Sequence, residues 1–395
     1  MRLPGAEETL NALASVRQAA RCTDPVSGLT HRHYKYPARF SPAFVRAAIE
    51  SFSRQGDLVL DPYVGGGTTL VEAMALGRRS VGCDLNSLAV FVAGVKTTPL
   101  TDLEAAEASA WATDVVPSLS YRDIDERVAE LICESRTRNL GLPNARPIKK
   151  LLALALLSLD ALDSLNARRF CRCVLLNVTQ WALNGKKKPV GLPEFRRRVA
   201  NVAAEMIEGN ASLRACSTDI GKTLRPVLIQ DSSENLATHS PFSGGEKAVL
   251  VVTSPPYPGV HVLYHRWQVD GRRETPAPYW IADCLDGQGE AYYTFGTRKG
   301  HGHRSYFEQS LKTLQAIRLA MKRGGVIVQM IAFSEPESQL RRYLANMEHA
   351  GFEEMRGASG RPARTWRDVP GRSWHANLKG ETCSAREVAL VHIAV

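Results

Sequence analysis

Apolar residues follow two patterns along the chain: short continuous runs, and longer segments with helical spacing. The short runs have the length of strands buried on both faces, as in a parallel sheet. Helical segments separate the runs, which predicts a mostly parallel, doubly wound, Rossmann-like α/β sheet with a late antiparallel strand at its edge. The predicted strands are residues 58–60, 80–83, 226–229, 248–252, 325–331 and 387–393.

Residues 100–222 differ from the sequence on either side of them. Ala, Leu and Arg dominate there with a spacing near 3.6 residues, which predicts helices at 103–116, 148–165, 168–183 and 194–208. We interpret this segment as a helical insertion in the α/β unit. The predicted domains are therefore 1–99 (first part of the α/β domain), 100–222 (insertion) and 223–395 (second part).

The composition is that of a globular protein. Of 395 residues, 44% are hydrophobic and 23% are charged, which excludes a wholly disordered or fibrous chain. The longest apolar run, 151–159, ends at Asp160 and is far shorter than the roughly 20 residues of a membrane span. The start of the chain shows no secretory signal, and the eight cysteines are scattered without a CxxC pair. These features predict reduced thiols and a cytoplasmic protein without a membrane partner.

The net charge of +10 raises the question of a polyanionic partner. Polyanion binding and a merely soluble basic surface are equally compatible with charge alone, and each basic cluster also fits a solvated face. Seven Lys or Arg lie within residues 296–325 with Glu308 as the acidic residue among them. The basic residues that we single out for nucleic acid are Lys186, Lys187, Lys188, Arg298, Lys299 and Arg304. Two His-x-His pairs lack a completing set of Cys or carboxylate ligands, so no metal is expected.

A glycine-rich turn follows the first predicted strand. The sequence D-P-Y-V-G-G-G-T-T at 61–69 places three glycines between a buried strand and a helix, where the backbone can approach a ligand that any Cβ would push away. A phosphate-binding loop would need Gly-Lys-Ser/Thr, and a dinucleotide fingerprint would need a glycine where Leu70 stands. Adenosine without phosphates fits better. Asp84 ends the second strand, where an acidic side chain binds ribose hydroxyls or, alternatively, caps a helix.

A second segment with chemical content follows the strand at 248–252. Thr253-Ser254-Pro255-Pro256-Tyr257 cannot continue a central strand, because two prolines remove two backbone donors. The segment must leave the sheet at the end of the strand where the glycine turn lies. It offers carbonyl acceptors, a hydroxyl and an aromatic plane, which suit a flat ring with an exocyclic amine.

These motifs resemble those of the S-adenosylmethionine-dependent amino-methyltransferases of DNA, which modify cytosine N4 or adenine N6. Residues 61–69 resemble the pattern D-P-[FY]-x-G-x-G-T-T, and Ser-Pro-Pro-Tyr resembles the catalytic [DNS]-P-P-[YFW]. Residues 33–42 resemble the segment that packs over the methionine end of the cofactor, and Asp231 resembles the acid near its adenine. The resemblance covers about 31–97 and 226–395 and leaves out the insertion.

The resemblance implies a methyltransferase sheet, with S-adenosylmethionine as cofactor and direct attack of the amine on the sulfonium methyl. Hydrogen bonds from the amine to Ser254 and to the Pro255 carbonyl would localise the nitrogen lone pair, and Tyr257 would stack on a base flipped out of the duplex. The implied catalytic residues are Ser254, Pro255, Pro256 and Tyr257. The implied cofactor-binding residues are Tyr36, Phe40, Asp61, Tyr63, Gly65, Gly67, Thr68, Thr69, Asp84, Asn86 and Asp231.

The expected function is site-specific DNA methylation, with cytosine N4 favoured because Ser254 at the head of the motif is commoner among those enzymes. Methylation of adenine N6, or of an exocyclic amine in RNA, is the alternative. A non-enzymatic nucleic-acid-binding protein is disfavoured, since decay would first damage the glycines or the prolines, and both are intact. The expected partner is double-stranded DNA, and the resemblance raises a cognate restriction endonuclease as a second. The insertion is a candidate for target recognition or DNA clamping.

Overall fold

The computed structural model describes residues 5–36, 41–120, 126–186, 188, 190–219, 224–258, 266–269, 273–285, 295, 302–368 and 386–395. Among these residues, no helix combines the length and the apolar composition needed to cross a membrane.

An eight-stranded sheet forms the centre of the fold, in the order β3-β2-β1-β4-β7-β10-β8, with β9 also paired to β10. The strands from β3 to β7 run parallel, and β10 runs antiparallel to its three neighbours. The prediction of a mostly parallel, doubly wound sheet with a late antiparallel strand is therefore confirmed. The strands of this sheet are β1 Leu58–Asp61, β2 Arg79–Cys83, β3 Val227–Ile229, β4 Ala248–Thr253, β7 Met321–Ala332, β8 Phe352–Glu354, β9 Thr365–Asp368 and β10 Arg386–Ala394. A separate hairpin joins β5 Trp267–Val269 to β6 Arg273–Thr275.

Helices cover both faces of the sheet because successive strand residues point to opposite sides. Val59 packs in one buried cluster with the first two helices, whereas Leu58 and Leu60 pack in another with the helices on either side of β7. The helices of the α/β unit are α1 Ala6–Ala20, α2 Pro42–Phe52, α3 Thr68–Ala75, α4 Ser87–Lys96, α11 Gly302–Ala320 and α12 Pro336–His349.

The predicted insertion is helical, with some differences in detail. Helix α5, Asp102–Ala110, continues through a π-helical turn, Trp111–Val115. The last helix extends to Asp219, well beyond the predicted end at 208. Buried positions with helical spacing continue through Asn210, Leu213 and Ser217. The other helices are α6 Glu126–Cys133, α7 Arg146–Ser158, α8 Leu165–Leu183 and α9 Leu192–Asp219.

The core of the insertion contains residues from outside it. Trp267 and Val269 of the β5–β6 hairpin, together with Tyr279 and Trp280 of α10, Ala277–Ala282, pack in the same buried cluster as the insertion helices. The sequence range 223–395 therefore contributes one segment to the helical unit. Sequence periodicity did not show this, because a short hairpin and a six-residue helix leave little pattern.

Candidate active site

The glycine turn and the Ser-Pro-Pro-Tyr segment meet where the order of the sheet reverses. They follow β1 and β4, which are adjacent parallel strands in register through Leu60 and Val251. Ligands of open α/β sheets bind at the carboxyl ends of the strands at such a switch point. Two side chains join the segments directly: the Thr253 hydroxyl donates to Asp61 Oδ1 over 2.7 Å, and the Thr69 hydroxyl donates to the Val252 carbonyl over 3.1 Å.

Asp61 lies beneath the site and holds its two halves together. It is 1% exposed and also accepts a hydrogen bond from the Tyr63 backbone N–H, at 3.2 Å. Burial raises the pKa of Asp61 to about 6, although hydrogen bonds from Thr69, Thr253 and Tyr63 oppose the shift. Asp61 and Thr69 hold the glycine turn to β4 through these bonds, and their role in cofactor binding stays a prediction.

The glycines of the turn are required by protein packing. Gly67 has a φ of 76°, and a Cβ there would lie 3.0 Å from the Cα of Ala93 on α4. A Cβ on Gly66 would lie 2.9 Å from the Cβ of Tyr36. The protein atoms that a Cβ at Gly67 would meet belong to α4, so this glycine is needed for helix packing, and its contact with the cofactor stays a prediction. Gly65 also has a positive φ, 45°, and its neighbour is the Tyr36 ring.

Asp84 connects the end of β2 to the glycine turn. One carboxylate oxygen accepts from the Gly65 N–H and the other from the Asn86 N–H, both at 2.9 Å. Burial raises the pKa of Asp84 to about 6, and the two backbone hydrogen bonds oppose that shift. A carboxylate offers about four lone-pair positions. The half-buried Asp84 therefore retains acceptor capacity for the hydroxyls of a ribose.

Tyr36 lies over the glycine turn, and a polar network holds it there. Its hydroxyl accepts from Asn86 Nδ2 at 3.1 Å, while Asn86 Oδ1 accepts from the Tyr279 hydroxyl at 2.9 Å and from the Leu88 N–H at 3.0 Å. Asn86 is 2% exposed and caps α4. Asn86 thus holds Tyr36 in place, and its predicted contact with the cofactor stays a prediction.

The remaining predicted cofactor residues lie at or near the same edge. Asp231 follows β3, and its Oδ2 is 2.7 Å from His239 Nε2. Burial opposes ionisation of Asp231, but hydrogen bonds from His239, Asn235 and Ser232 outweigh it and lower the pKa. Tyr63 is half-buried with its ring edge-on to Phe295, and Thr68 opens α3 and is 6% exposed. Phe40 lies outside the described residues.

The catalytic segment is fixed by hydrogen bonds to the strands and helices around it. Ser254 Oγ lies 3.0 Å from the Tyr257 hydroxyl and 3.0 Å from the Met330 carbonyl of β7. The Pro256 carbonyl accepts from the Tyr306 hydroxyl of α11 at 2.7 Å. Pro255, which is buried, and Pro256 have no backbone N–H to donate to a neighbouring strand. The segment therefore leaves the sheet but keeps its carbonyl acceptors.

Tyr257 is more deeply buried than its expected stacking role suggests. It is 7% exposed, and its hydroxyl donates to Glu387 Oε1 of β10 at 3.1 Å. Glu387 in turn accepts from Arg367 of β9 at 2.9 and 2.7 Å. Sequence analysis missed Glu387, Arg367 and Tyr306. A charged residue heading the apolar run at 387–393 was the sole sequence sign of Glu387.

The predicted nucleic-acid residues divide into described and undescribed ones. Lys186 Nζ lies 4.5 Å from the centre of the Trp181 ring, and the Arg198 guanidinium lies over the same ring at 5.9 Å. Lys188 is exposed, and Arg304 lies on α11. Lys187, Arg298 and Lys299 lie outside the described residues.

A cavity of about 330 Å³ lies beside Trp181 on the insertion, lined by Glu194, Arg197, Arg198 and Asn201 as well. Together with Lys186, these side chains form a basic surface around an aromatic plane, which we call the Trp181 patch. The residue before Trp181, Gln180, donates to the Lys35 carbonyl at 3.0 Å, and Lys35 precedes Tyr36. The patch is thus attached next to the segment that lies over the glycine turn.

His31 and His33, the first of the two His-x-His pairs, both contact other side chains of the protein. His31 Nε2 lies 2.7 Å from Glu72 Oε1, and the His33 ring packs edge-on to Phe170. Within the described ranges, His, Cys, Asp and Glu side chains form no cluster suited to a metal ion.

The comparisons with known proteins include one family model whose match contains the glycine turn. A family model described as DNA methylase, of the N6/N4 type, matches residues 16–93. The type II methyltransferase M.MvaI of Kocuria varians is 35% identical over 83 residues, which cover 20% of this chain and 18% of that protein. M.MjaII of Methanocaldococcus jannaschii is 35% identical over 66 residues, 17% of this chain and 12% of that protein. The chain thus matches less than a fifth of the length of these relatives.

An RNA-modifying enzyme and a solved structure are also similar to parts of the chain. The tRNA (guanine(10)-N2)-dimethyltransferase of Methanocaldococcus jannaschii is 38% identical over 56 residues, 14% of this chain and 16% of that protein. The solved structure of the rRNA methyltransferase aviRa of Streptomyces viridochromogenes aligns with 95% of this chain and over 92% of its own length, at 11% sequence identity and a TM-score of 0.36. At that score the structural likeness carries no argument.

The residues at the switch point fit the cofactor of the amino-methyltransferases, S-adenosylmethionine. Asp84 keeps lone pairs for ribose hydroxyls, and Tyr36 covers a turn that ends at the N-terminus of α3. The matched family model covers both features together with the glycines. The family match is confined to residues 16–93, the part of the chain that holds the glycine turn and Asp84, and there the chain is similar to DNA methylases of the N6/N4 type.

Proposed function

We propose that this protein transfers a methyl group from S-adenosylmethionine to an exocyclic amino group of a base in DNA. The observation that carries the proposal is the 2.7 Å hydrogen bond from Thr253 to Asp61, which fixes the Ser-Pro-Pro-Tyr segment beside the glycine turn. The methyl donor and the amine would therefore be held next to each other. Positioning of this kind supplies a large part of the barrier reduction in two-substrate reactions.

Hydrogen-bond acceptors on the Ser-Pro-Pro-Tyr segment would activate the amine. The nitrogen lone pair of an exocyclic amine is delocalised into its ring, and hydrogen bonds from its N–H groups to Ser254 Oγ and to the Pro255 carbonyl would localise it. The nitrogen gains positive charge as the bond to carbon forms, so these acceptors would bind the transition state more strongly than the ground state. The methyl group would come from the bound cofactor.

Cytosine N4 is the favoured target in this proposal. The support is statistical: a serine at the head of the motif is commoner among the cytosine-N4 enzymes. The chemistry itself would serve adenine N6 equally well. The relatives are named type II methyltransferases, and the family model is described as DNA methylase. Duplex DNA is therefore the substrate in this proposal, with a cognate endonuclease as a further partner.

The Trp181 patch supports contact between the insertion and nucleic acid. Phosphate groups bind Lys and Arg side chains, and an aromatic plane stacks on bases. Lys186, Arg197 and Arg198 surround Trp181, and Arg197 is exposed. We propose that this surface of the insertion holds the substrate near the edge of the sheet.

The proposal is tested by incubating the protein with methyl-labelled S-adenosylmethionine and separate pools of duplex DNA and folded RNA. Label in the DNA pool is expected, and Ser254→Ala should lower transfer while cofactor binding, measured by calorimetry, is kept. Glu353→Ala serves as the control, because this exposed residue lies on the edge strand β8 opposite Ile393, at the end of β10 away from Glu387. Cofactor binding without transfer to either pool would contradict the proposal.

Methylation of an exocyclic amine in folded RNA is the second candidate. It is favoured by the similarity to a tRNA guanine-N2 dimethyltransferase, which involves 56 residues at 38% identity. The catalytic chemistry would be the same, and label confined to the RNA pool would establish it in place of the DNA reaction.

A further inference from the structure

A chain of hydrogen bonds runs from the proposed catalytic serine to a largely buried ion pair between β9 and β10. Ser254 Oγ is 3.0 Å from the Tyr257 hydroxyl, which is 3.1 Å from Glu387 Oε1. The other oxygen of Glu387 accepts from Nε and Nη2 of Arg367 at 2.9 and 2.7 Å. The side chains of Glu387 and Arg367 are 8% and 13% exposed. Neither residue belongs to the two motifs of the site.

The ion pair determines the direction of the hydrogen bonds in this chain. A carboxylate held by a guanidinium is ionised and accepts hydrogen bonds without donating any. Tyr257 has one hydroxyl hydrogen, and Glu387 takes it. Tyr257 therefore has no hydrogen left to donate to Ser254, and Ser254 is the only one of the two that can donate across their contact.

The same direction leaves the lone pairs of Ser254 unused by protein donors in the contacts described. Its hydrogen points to Tyr257 or to the Met330 carbonyl, since both oxygens lie 3.0 Å from Oγ. An amine N–H arriving at Ser254 would therefore meet an acceptor. A reversed chain, with Tyr257 donating to Ser254, would fill one of the two lone pairs.

We propose that Glu387, held by Arg367, is a positioning residue that makes Ser254 a hydrogen-bond acceptor for the target amine. It acts through the Tyr257 hydroxyl and does not touch the substrate. This inference rests on the proposed function, because it concerns the amine that Ser254 would accept from. A buried ion pair is weak evidence of stabilisation, so a role in orienting hydrogens is a better account of its place beneath the catalytic segment.

The test is Glu387→Gln, which keeps the shape of the side chain. Arg367 needs an acceptor, so the amide oxygen would turn to it and the amide NH₂ would face Tyr257. Tyr257 would then donate to Ser254 and reverse the chain. We expect kcat to fall about 10- to 100-fold, the scale of a hydrogen bond to a charged group, with KM for DNA and cofactor affinity nearly unchanged.

Tyr257→Phe distinguishes hydrogen-bond direction from simple loss of structure. Without the hydroxyl, Ser254 donates to Met330 whichever residue stands at 387, so the double variant should transfer as fast as Tyr257→Phe alone and faster than Glu387→Gln alone. Such non-additivity is expected of residues in one network. Glu354→Gln is the control: it breaks another Arg–Glu pair, with Arg364, on the neighbouring strand β8, and should keep the kcat of the wild type.

A readout that does not depend on activity completes the experiment. The Tyr257 Cζ resonance in protein labelled at tyrosine, assigned by its absence in Tyr257→Phe, should shift in Glu387→Gln and stay in place in Glu354→Gln. An unmoved resonance, or a wild-type kcat in Glu387→Gln, overturns the role of Glu387 and leaves the proposed function standing. A wild-type protein that transfers no methyl to either nucleic acid overturns the proposed function itself.

Discussion

The carboxyl edge of the sheet and the helical insertion use their side chains in opposite ways. At the edge, most polar groups are buried and bonded to one another: Asp61 to Thr253, Asp84 to Gly65, and Asn86 to Tyr36. On the insertion, Trp181 and its basic neighbours lie at the surface around an open cavity. One region fixes its geometry before any ligand arrives, whereas the other offers charge and stacking area.

This difference separates the two parts of the expected reaction. Methyl transfer depends on placing two groups within bonding distance, so it needs a preorganised frame. Binding of a long polyanion depends on the number of phosphates contacted and tolerates looser geometry. Substitutions at the edge should therefore have larger effects than substitutions on the insertion.

The largest effect is expected from a matched pair of glycine variants. Gly67→Ala and Gly185→Ala both place a Cβ at a positive φ, 76° and 73°, which costs roughly 1–2 kcal/mol. At Gly67 the Cβ would also press on Ala93 at 3.0 Å, whereas at Gly185, in the loop after α8, nothing lies within 4 Å. Overpacking adds about 1–3 kcal/mol. Urea unfolding should show the larger loss for Gly67→Ala, and equal losses would contradict the packing account.

The next effect concerns cofactor affinity. Asp84→Ala removes the acceptor for ribose hydroxyls, so binding of S-adenosylmethionine should weaken by about 1.5–3 kcal/mol. Asp57→Ala, at the start of β1 on the opposite edge of the sheet, is the control and should bind like the wild type. Calorimetry measures both. A loss below roughly 0.3 kcal/mol, well under the usual worth of a hydrogen bond to a charged group, would make Asp84 a support of the turn alone.

A pH-dependent effect of comparable or smaller size is expected from Asp61. Its pKa is raised from 3.8 to about 6 in the folded protein, so the folded state holds this proton more tightly than the unfolded state. Its contribution to stability is fully present below about pH 4 and is lost as the pH rises through about 6, on the order of 1–3 kcal/mol. The free energy of unfolding of the wild type, measured relative to Asp61→Asn, should therefore fall between pH 4 and 6. A difference that rises over this range would show that Asp61 is stabilised in its charged form.

The smallest effect should come from the insertion. Lys186→Ala removes one charge from the Trp181 patch, and the slope of log affinity against log salt for duplex DNA should become shallower by about 1. Lys322→Ala removes one exposed charge at the amino end of β7 and should leave the slope as it is. Identical slopes in the two variants would move the DNA contact away from the patch.

Sequence predicted the sheet well because buried parallel strands leave continuous apolar runs. It also identified the two motifs, since glycine and proline constrain the backbone locally. It did not identify which members of the motifs face a ligand. Gly67 packs against Ala93 and Asn86 accepts from Tyr279, and neither contact leaves a sign in the motif pattern.

Sequence patterns did not predict the contacts between distant parts of the chain. Glu387 reaches Tyr257 across 130 positions of sequence, and the β5–β6 hairpin joins the core of the insertion. Neither relation produces a local pattern, because both arise from the order of strands and from side-chain packing in three dimensions. The charge runs were visible in sequence, but their pairing with Trp181 required the geometry of α8 and α9.

The central claim, that an exocyclic amine attacks the methyl group directly, is tested most directly by the identity of the methylated nucleoside. Duplex DNA treated with the protein and S-adenosylmethionine would be digested to nucleosides and separated by chromatography with mass detection. The account predicts N4-methylcytosine, with N6-methyladenine as the less favoured product of the same chemistry. Finding 5-methylcytosine would contradict it, because methylation of that ring carbon requires a covalent nucleophile and the Ser-Pro-Pro-Tyr segment supplies hydrogen-bond acceptors instead.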